Sequence, residues 1–325
     1  MLIEYKYKED KKEKDKKTTT TPQQTQKIKK IIRGDIMGCI EKIYSVSALV
    51  GDGSCNANCN SCAGKYLRSQ AKKENPLYDK NLESAIKLSA RYGGWSLSFT
   101  SSGEPTCDPD ALTHALKIYQ KCANQGAYFP NVNLFTNGIT LADKSFCKQY
   151  IPIWKTLGLT NIAISIYSID EEEQAKAYNL KTYPSFEKII ENIIGHGLGV
   201  RGTVLLKKYG VDDAKKYEDT IKTTIEKGIT NITSWPIGNP DGTRNKHTPS
   251  RLGLLSIKHW LNTHATLCHG HVWGGGVYDY QGNILRITDY VTKHDPKKDF
   301  VRQLVVFQDG TVAYSWIREG ALCMK

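Results

Sequence analysis

The sequence predicts an α/β fold, a partial (β/α)6 barrel of the TIM type followed by a small C-terminal antiparallel β extension. Two observations predict it. From about residue 43 to residue 240, short β-rich runs alternate with longer stretches of helical periodicity, which is typical of repeated βα units around a parallel sheet. Beyond residue 240 the pattern changes to hairpins. Because six units are fewer than the eight of a closed barrel, we expect the barrel to be partial.

Six runs predict the parallel strands: 44–51, 95–105, 132–138, 161–168, 199–207 and 231–238. The stretches that predict the intervening helices are 80–92, 110–125, 143–157, 185–197 and 213–227. In 185–197, SFEKIIENIIGHG, the apolar residues recur at helical spacing. Each strand run ends in a loop that contains Gly, Ser, Asn or Pro, and an α/β barrel places its chemistry in such loops.

The C-terminal part of the sequence predicts a helix at 250–263 and two hairpins at 277–287 and 304–317, each with a Gly turn between alternating β-formers. We expect these hairpins to form an antiparallel cap. The predicted organisation is therefore a tail over residues 1–34, a barrel over 35–240 and a β-rich cap, concerned with the substrate, over 241–325.

Composition excludes a protein that is disordered throughout, because 39% of the 325 residues are hydrophobic and 10% are aromatic. No apolar run approaches the ~20 residues of a membrane helix, so we expect a soluble, cytoplasmic protein. The net charge is +12, and residues 1–34 contribute half of it, with 11 Lys or Arg and 5 Asp or Glu. This segment predicts a disordered tail, either solvated without a specific partner or acting as a basic arm for nucleic acid.

Nine cysteines, an odd number without an export signal, favour thiols or metal ligands over disulfides. Three of them, Cys55, Cys59 and Cys62, have CxxxCxxC spacing just past the first predicted strand. Three thiolates on one tight loop can ligate three corners of a cubic iron–sulfur cluster and leave its fourth iron open. The alternatives are a structural zinc site or unrelated thiols, although zinc normally needs a second ligand pair that the sequence lacks nearby.

Two further motifs follow in order. Ser102-Gly103-Glu104-Pro105 ends the second predicted strand, and Thr136-Asn137-Gly138 ends the third. With the cysteine motif, they make residues 43–240 resemble the radical S-adenosylmethionine (radical SAM) superfamily. The resemblance implies that the three cysteines hold a 4Fe–4S cluster and that the amino and carboxylate groups of S-adenosylmethionine chelate the open iron. It also implies reductive cleavage to a 5′-deoxyadenosyl radical that abstracts hydrogen from a substrate, with flavodoxin or ferredoxin as the one-electron donor.

The same resemblance implies which residues contact the cofactor. Ser102 to Pro105 correspond to the GGEP motif, which holds the methionyl amino group mainly through backbone carbonyls, although Ser102 replaces the first glycine. Gly103 permits close backbone approach, and Glu104 can add a charged acceptor. Asn137 and Ser165 are expected near the cofactor, Ser165 near its ribose or carboxylate, with ordinary turn and strand-end capping as the alternative. No catalytic residue is assigned.

Some assignments stay open. Arg201 could bind a carboxylate, but an exposed strand-end arginine is the favoured interpretation. Cys39, Cys107, Cys122 and Cys147 lack ligand spacing, and we interpret them as free buried thiols.

The segment from Cys268 resembles the first half of a twitch or SPASM extension, but of the later cysteines only Cys323 is present, so we expect its fold without its metal. Cys268, His269 and His271, with His264, could alternatively bind a metal, although structural or substrate-facing roles are favoured.

The substrate class also stays open. Trp235 and Trp273 could stack on a flat substrate or belong to the core, and the polar, basic loop 238–251 could be a lid over phosphate or a surface connection. The basic balance favours a nucleotide or nucleic acid, and the SPASM-like hairpin favours a peptide. The alternative from another class is a non-catalytic zinc or iron–sulfur protein that binds nucleic acid.

Overall fold

The structure is a computed structural model that describes residues 40–68, 77–288, 299–317 and 322–324. The predicted tail, 1–34, lies outside them. The strands in chain order are β1 Lys42–Ile43, β2 Ser45–Leu49, β3 Ser96–Thr100, β4 Asn131–Thr136, β5 Asn161–Ile166, β6 Gly199–Leu206, β7 Asn231–Pro236, β8 Thr266–Gly270, β9 Gly276–Tyr280, β10 Asn283–Ile287, β11 Phe300–Val301, β12 Leu304–Val306, β13 Val312–Ala313 and β14 Leu322–Met324. The helices are α1 Gly64–Arg68, α2 Leu77–Arg91, α3 Pro109–Asn124, α4 Lys144–Thr156, α5 Glu171–Tyr178, α6 Phe186–Gly195, α7 Ala214–Glu226 and α8 Arg251–His264.

The six predicted strands form the parallel centre of one sheet, in the order β2-β3-β4-β5-β6-β7. The α/β prediction is therefore confirmed. Helices connect successive strands, and the aliphatic residues that alternate along each strand are buried with them in one core, as Leu134 and Ile162 are with Leu116 of α3. Among the described helices, none is both long and apolar enough to cross a membrane.

The sheet curls around its other face. The ring centroids of Phe135 on β4 and Trp235 on β7 lie 6.0 Å apart, whereas strands three positions apart in a flat sheet are separated by about 14 Å. The face that carries these rings is therefore the inside of a partial barrel, which we call the concave face. β4, β5 and β7 each place their first, third and fifth residues on this face, and of these the first and fifth are partly exposed and the third is buried.

The two predicted hairpins are present, β9–β10 and β12–β13, and both antiparallel pairings are confirmed. The two hairpins do not lie side by side as one cap. β10 pairs in parallel with β7, and β12 pairs in parallel with β2, so each hairpin extends one edge of the central sheet. The sequence could not show this, because each hairpin pattern fixes only its own local pairing. The division at residue 240 stays a prediction.

Short polar side chains cap the N-termini of most of the helices that follow the strands. The side chain of Asp108 accepts from Ala111 N at the start of α3, and that of Asp143 accepts from Ser145 N at the start of α4. Asp170, Asp213 and Ser250 cap α5, α7 and α8 in the same way. An N-cap satisfies backbone N–H groups that have no partner within the helix. The caps therefore fix where each chain segment turns after leaving the sheet.

The packing of the helices against one another can be tested at Trp154 of α4. Trp154 is fully buried and donates from Nε1 to Thr113 Oγ1 of α3 at 2.9 Å. Trp154→Ala leaves a large cavity and is expected to lower the free energy of unfolding by about 3–5 kcal/mol in urea denaturation. Trp95→Ala is the matched control, because Trp95 is 64% exposed, and it should change stability by about 0.5 kcal/mol or less. Equal effects of the two variants would contradict the described packing.

Candidate functional site

The three closely spaced cysteines lie on the loop that joins β2 to α1, at the carboxyl end of the parallel strands. Cys59 is buried, and Cys55 and Cys62 are partly exposed. Burial, followed by the charges of Cys62 and Cys55, raises the pKa of Cys59 to about 12. The pKa of Cys55 is also raised, mainly by burial and partly by Glu104 and Cys62. The structure therefore brings the three thiols within electrostatic reach of one another.

The chemistry of this donor set fits an iron–sulfur cluster. Among the described residues, no three His, Cys, Asp or Glu side chains converge closely enough to bind a single metal ion. A cubic cluster differs from a single ion because its thiolates bind separate iron atoms. Three sulfur donors on one short loop suit that arrangement, and a cationic metal centre would offset the mutual repulsion of the thiolates.

The loop is held by hydrogen bonds at several points. Ser54 N donates to Asp52 Oδ1 at 2.8 Å, and Ser54 O accepts from Glu104 N at 2.8 Å. Further along, Asn58 N donates to Tyr178 O at 3.0 Å, at the end of α5. These hydrogen bonds thus connect the cysteine loop to the loop after β3 and to the end of helix α5.

Glu104 is the central residue of these contacts. Its buried carboxylate accepts from Thr106 N at 3.1 Å, Thr106 Oγ1 at 2.8 Å, Thr136 Oγ1 at 2.6 Å and Asn137 N at 2.7 Å. Burial raises the pKa of Glu104, although the hydrogen bonds from Thr136, Asn137 and Thr106 lower it. The side chain joins the SGEP segment to the TNG segment, so the structure gives it a positioning role. Contact with a cofactor ammonium stays a prediction.

Asn137 extends the connection to the cysteine loop. Its Nδ2 donates to Asn56 Oδ1 at 2.7 Å, and Asn56 Nδ2 donates to Thr140 Oγ1 at 3.1 Å. The backbone oxygen of Asn137 accepts from Tyr183 OH at 2.7 Å. The amide side chains of Asn56 and Asn137 therefore align the loops after β2 and β4, a function of Asn56 that the sequence analysis missed.

Ser102, which replaces a glycine of the family motif, has a specific partner. Its buried Oγ accepts from Gln308 Nε2 at 3.1 Å, and the same Nε2 donates to Gly51 O at 2.8 Å. Its backbone oxygen accepts from Arg68 Nε at 3.2 Å. The β12–β13 turn thereby contacts both loops of the site. Local sequence patterns do not indicate Gln308 or Arg68, because their contacts with Ser102 span 206 and 34 residues.

Gly103 lies where two backbones approach closely. A Cβ atom built there would be 2.0 Å from Ser54 O and 2.3 Å from Gly53 O. Gly64, at the start of α1, is similar, since its Cβ would lie 2.3 Å from Ser102 O and 3.3 Å from Cys62 Sγ. The predicted need for glycine in the SGEP segment is explained by the cysteine loop itself, which passes over it.

Gly103→Ala is expected to displace the cysteine loop, because backbone oxygens at 2.0 and 2.3 Å cannot yield as a flexible side chain can. We expect at least about a 10-fold loss of S-adenosylmethionine affinity, measured by equilibrium dialysis. Gly195→Ala is the control, since its Cβ would meet nothing within 4 Å. Unchanged affinity in Gly103→Ala would show that the two loops do not pack as described.

Ser165 lies on the concave face near the carboxyl end of β5 and is partly exposed there. Its backbone oxygen accepts from Gln174 Nε2 and Tyr178 OH, both at 2.9 Å. Gln174 Oε1 in turn accepts from Tyr167 N at 2.8 Å. Helix α5 therefore fixes the end of β5, and the expected cofactor contact of Ser165 stays a prediction. Pro105, the last residue of the SGEP motif, is buried and begins a 3-10 turn.

The loop after β7 lies beside the cysteine loop. Residues 60–63 and 238–241, with Asn245, Lys246 and His247, line a pocket of about 730 Å³. The pKa of His247 is lowered by burial and by Lys207 and Lys246, and the nearby backbone of Asn60 opposes this shift. This placement favours a role of loop 238–251 at the site over that of a mere surface connection.

Two expectations need correction, those for Arg201 and for Cys107. Arg201 is not at an exposed strand end: it is the third residue of β6 and only partly exposed, because its side chain lies across the concave face. Cys107 is exposed, whereas Cys122 and Cys147 are buried as predicted; Cys39 lies outside the described residues. Cys268 is also exposed.

The two tryptophans differ in their surroundings. Trp235 lies on the concave face against Phe135. Trp273 packs edge-on against Tyr44, with ring centroids 4.8 Å apart, and stacks on His271. Trp235 is therefore the one placed to contact a ligand inside the barrel, while Trp273 belongs to an aromatic group at the beginning of β2.

Comparisons with known proteins agree with this architecture. The family model of the Radical SAM superfamily matches residues 53–221, just over half of the chain. No curated protein matches the chain. Streptococcus suis SuiB superposes with a TM-score of 0.54 at 12% identity, covering 92% of this chain and 65% of that one. Native anSMEcpe with bound AdoMet gives 0.52 at 16% identity, covering 84% and 74%.

A further structure, native anSMEcpe with bound AdoMet and Kp18Cys peptide, gives a TM-score of 0.48 at 17% identity and covers 68% of this chain. That match spans 60% of the other chain, less than two thirds of its length. At these identities the structural likenesses concern the fold.

Proposed function

The chain belongs to the radical SAM superfamily, and from this premise we propose that it is an enzyme that cleaves S-adenosylmethionine reductively to begin a radical reaction. The cofactors of the family are a 4Fe–4S cluster and S-adenosylmethionine. When bound, they supply a 5′-deoxyadenosyl radical that abstracts hydrogen from a substrate. The observation that carries the proposal is the joining of the cysteine loop to the SGEP segment, through Glu104 N to Ser54 O at 2.8 Å.

Cys55, Cys59 and Cys62 would hold three irons of the cluster. Support comes from their shared loop and from the electrostatic coupling of their sulfur atoms. Asn56, at 2.7 Å from Asn137 Nδ2, and Asn58, bonded to Tyr178 O, would keep that loop in register with the strands. Such supporting hydrogen bonds typically affect metal affinity by 10–100-fold.

The SGEP segment, Ser102 to Pro105, would seat the amino end of S-adenosylmethionine, with Asn137 and Ser165 bordering the same side of the sheet. Gly103 leaves no room for a side chain beneath the cysteine loop. Glu104 holds the loop after β4 through its bond to Asn137 N. These contacts preorganise the carboxyl end of the sheet before any ligand binds.

We further propose a one-electron donor of the flavodoxin or ferredoxin type and, because unpaired thiols persist in reducing compartments, a cytoplasmic location. A nucleotide or nucleic acid and a peptide both remain candidate substrates. They can be compared by adding each class to the reduced enzyme and measuring which one increases 5′-deoxyadenosine formation.

The decisive experiment is anaerobic reconstitution with iron and sulfide, followed by incubation with dithionite and S-adenosylmethionine. We expect bound iron and sulfide, and 5′-deoxyadenosine together with methionine as products. Zinc at the three thiols, with no 5′-deoxyadenosine formed, would support the alternative of a non-catalytic protein that binds nucleic acid.

A further inference from the structure

The charged residues on the parallel strands of the large sheet are all of one sign. The eight strands that pair in parallel there, β2 to β7 with β10 and β12, contain no Asp, Glu or Lys, and their charged residues are Arg201 on β6 and Arg286 on β10. Both arginines belong to the concave face. Thr233 of β7 lies between them, since it accepts from Arg201 Nη2 at 3.2 Å and is paired in register with Arg286.

Arg201 crosses the floor of the barrel. In the sheet it is paired with Ala163, whose small side chain leaves space for the guanidinium to reach the next strand. Its Nη1 donates to Asn133 Oδ1 at 2.8 Å, and among the described residues its buried Nε has no hydrogen-bond partner. Burial and the nearby charge of Arg286 lower the pKa of Arg201 to about 10. The group is therefore oriented by neutral residues and not neutralised by a carboxylate.

Arg286 is also partly buried and is also oriented by a neutral residue. Its Nη1 donates to the side chain of Asn231, a neutral group. Burial lowers the pKa of Arg286, and the charges of His269, Arg302 and Arg286 contribute, after burial, to lowering that of His271. Within the described residues, neither Arg201 nor Arg286 forms an ion pair.

Two partly buried cations without a counterion are unfavourable for folding, because no opposite charge offsets their desolvation. If Arg201 and Arg286 only connected neighbouring strands, neutral side chains could make the same contacts without burying charge. Guanidinium groups are the usual ligands for carboxylate and phosphate, since their planar N–H donors match those oxygens. An incoming anion would supply the charge that the protein does not.

We propose that Arg201 and Arg286 bind an anionic group of the substrate, a carboxylate or a phosphate, inside the barrel. The proposal rests on the proposed function, because it assumes that the radical forms at the carboxyl end of the strands. Asn133 and Thr233 lie three residues before the ends of their strands, about 10 Å below that end. A substrate anchored there would extend past Phe135 and Trp235 toward the cofactor.

The test measures anion binding directly. Full-length protein, reconstituted with iron and sulfide, is titrated at constant ionic strength with inorganic phosphate and, separately, with succinate, with chloride as the reference anion, and thermal denaturation is followed. We expect one of the two probes to raise the Tm of the wild type in a saturable manner. Arg201→Gln and Arg286→Gln should bind that probe at least 10-fold more weakly, and without the probe they should fold at least as stably as the wild type.

Arg91→Gln is the control, because Arg91 is an exposed arginine at the end of α2. It should respond to the probe as the wild type does. The probe that binds distinguishes a phosphate ligand from a carboxylate ligand. S-adenosylmethionine affinity is measured for the same variants and should remain within 2-fold of the wild type.

The proposal is overturned if the wild type shows no response beyond chloride, if both glutamine variants respond as the wild type does, or if the variants lose affinity for S-adenosylmethionine. The last result would assign the arginines to the cofactor carboxylate. Because 5′-deoxyadenosine formation is measured separately, loss of the anion site and failure of the proposed function give different outcomes.

Discussion

Replacing any one of Cys55, Cys59 and Cys62 by alanine is expected to abolish iron–sulfur cluster assembly and to reduce 5′-deoxyadenosine formation more than about 100-fold. The physical reason is that two thiolates on this loop cannot hold three corners of a cubic cluster. Loss of a direct ligand should exceed the 10–100-fold effects that are typical of residues supporting a metal site. Iron and sulfide analysis after anaerobic reconstitution measures the first effect, and chromatography of the products measures the second.

Cys268→Ser is the matched control, because Cys268 is an exposed thiol on β8. We expect it to keep wild-type iron content and activity. Circular dichroism of all four variants checks that the fold persists, since the cysteine loop lies outside the helices and strands of the core. Full iron content in Cys59→Ala, the most buried of the three thiols, would contradict the assignment.

Glu104 should give the second large effect. Glu104→Ala leaves four hydrogen-bond donors without their acceptor in a buried site. Each buried donor left without an acceptor carries a desolvation cost of about 1–3 kcal/mol, so the four together should lower stability by at least about 4 kcal/mol. We expect a loss of that size in the free energy of unfolding, measured by urea denaturation of the protein without its cluster.

Glu104→Gln separates positioning from stability. In either orientation of the amide, its NH2 group faces a backbone N–H, that of Asn137 or that of Thr106, so one contact becomes repulsive. We expect the variant to fold and to bind S-adenosylmethionine about 10–100-fold more weakly in equilibrium dialysis. Glu191→Gln, an exposed change on α6, should leave both quantities unchanged. Wild-type affinity in Glu104→Gln would mean that the loops after β3 and β4 are not aligned through this carboxylate.

Much of the fold follows from local patterns. The six parallel strands and the helices between them were predictable, because strands buried on one or both faces and amphipathic helices have different periods of hydrophobicity. The hairpins were predictable from their glycine turns, and the DG pair at 309–310 does lie between β12 and β13. The edge of the sheet that each hairpin joins was not predictable, because parallel pairing with β7 or β2 depends on contacts between distant segments.

The site, like the fold, has features that local sequence predicts and features that depend on contacts between distant residues. Spacing alone predicts that Cys55, Cys59 and Cys62 act together as ligands, and the order of the motifs along successive strands predicts that SGEP lies beside them. The contacts of Gln308 with Ser102 and Gly51 connect residues 206 and 257 positions apart. The burial of Arg201 depends on the curl of the sheet and on the small side chain of Ala163.

The sequence by itself determined the α/β class, the family, the three candidate cysteine ligands and the loop composition that lets a glycine pass under them, because these features are local and chemical. Only the tertiary structure decided that Glu104 aligns three loops and that two arginines without counterions face the inside of the barrel. Side chains on different strands meet through the curvature and register of the whole sheet, and the sequence of any single segment does not contain that geometry.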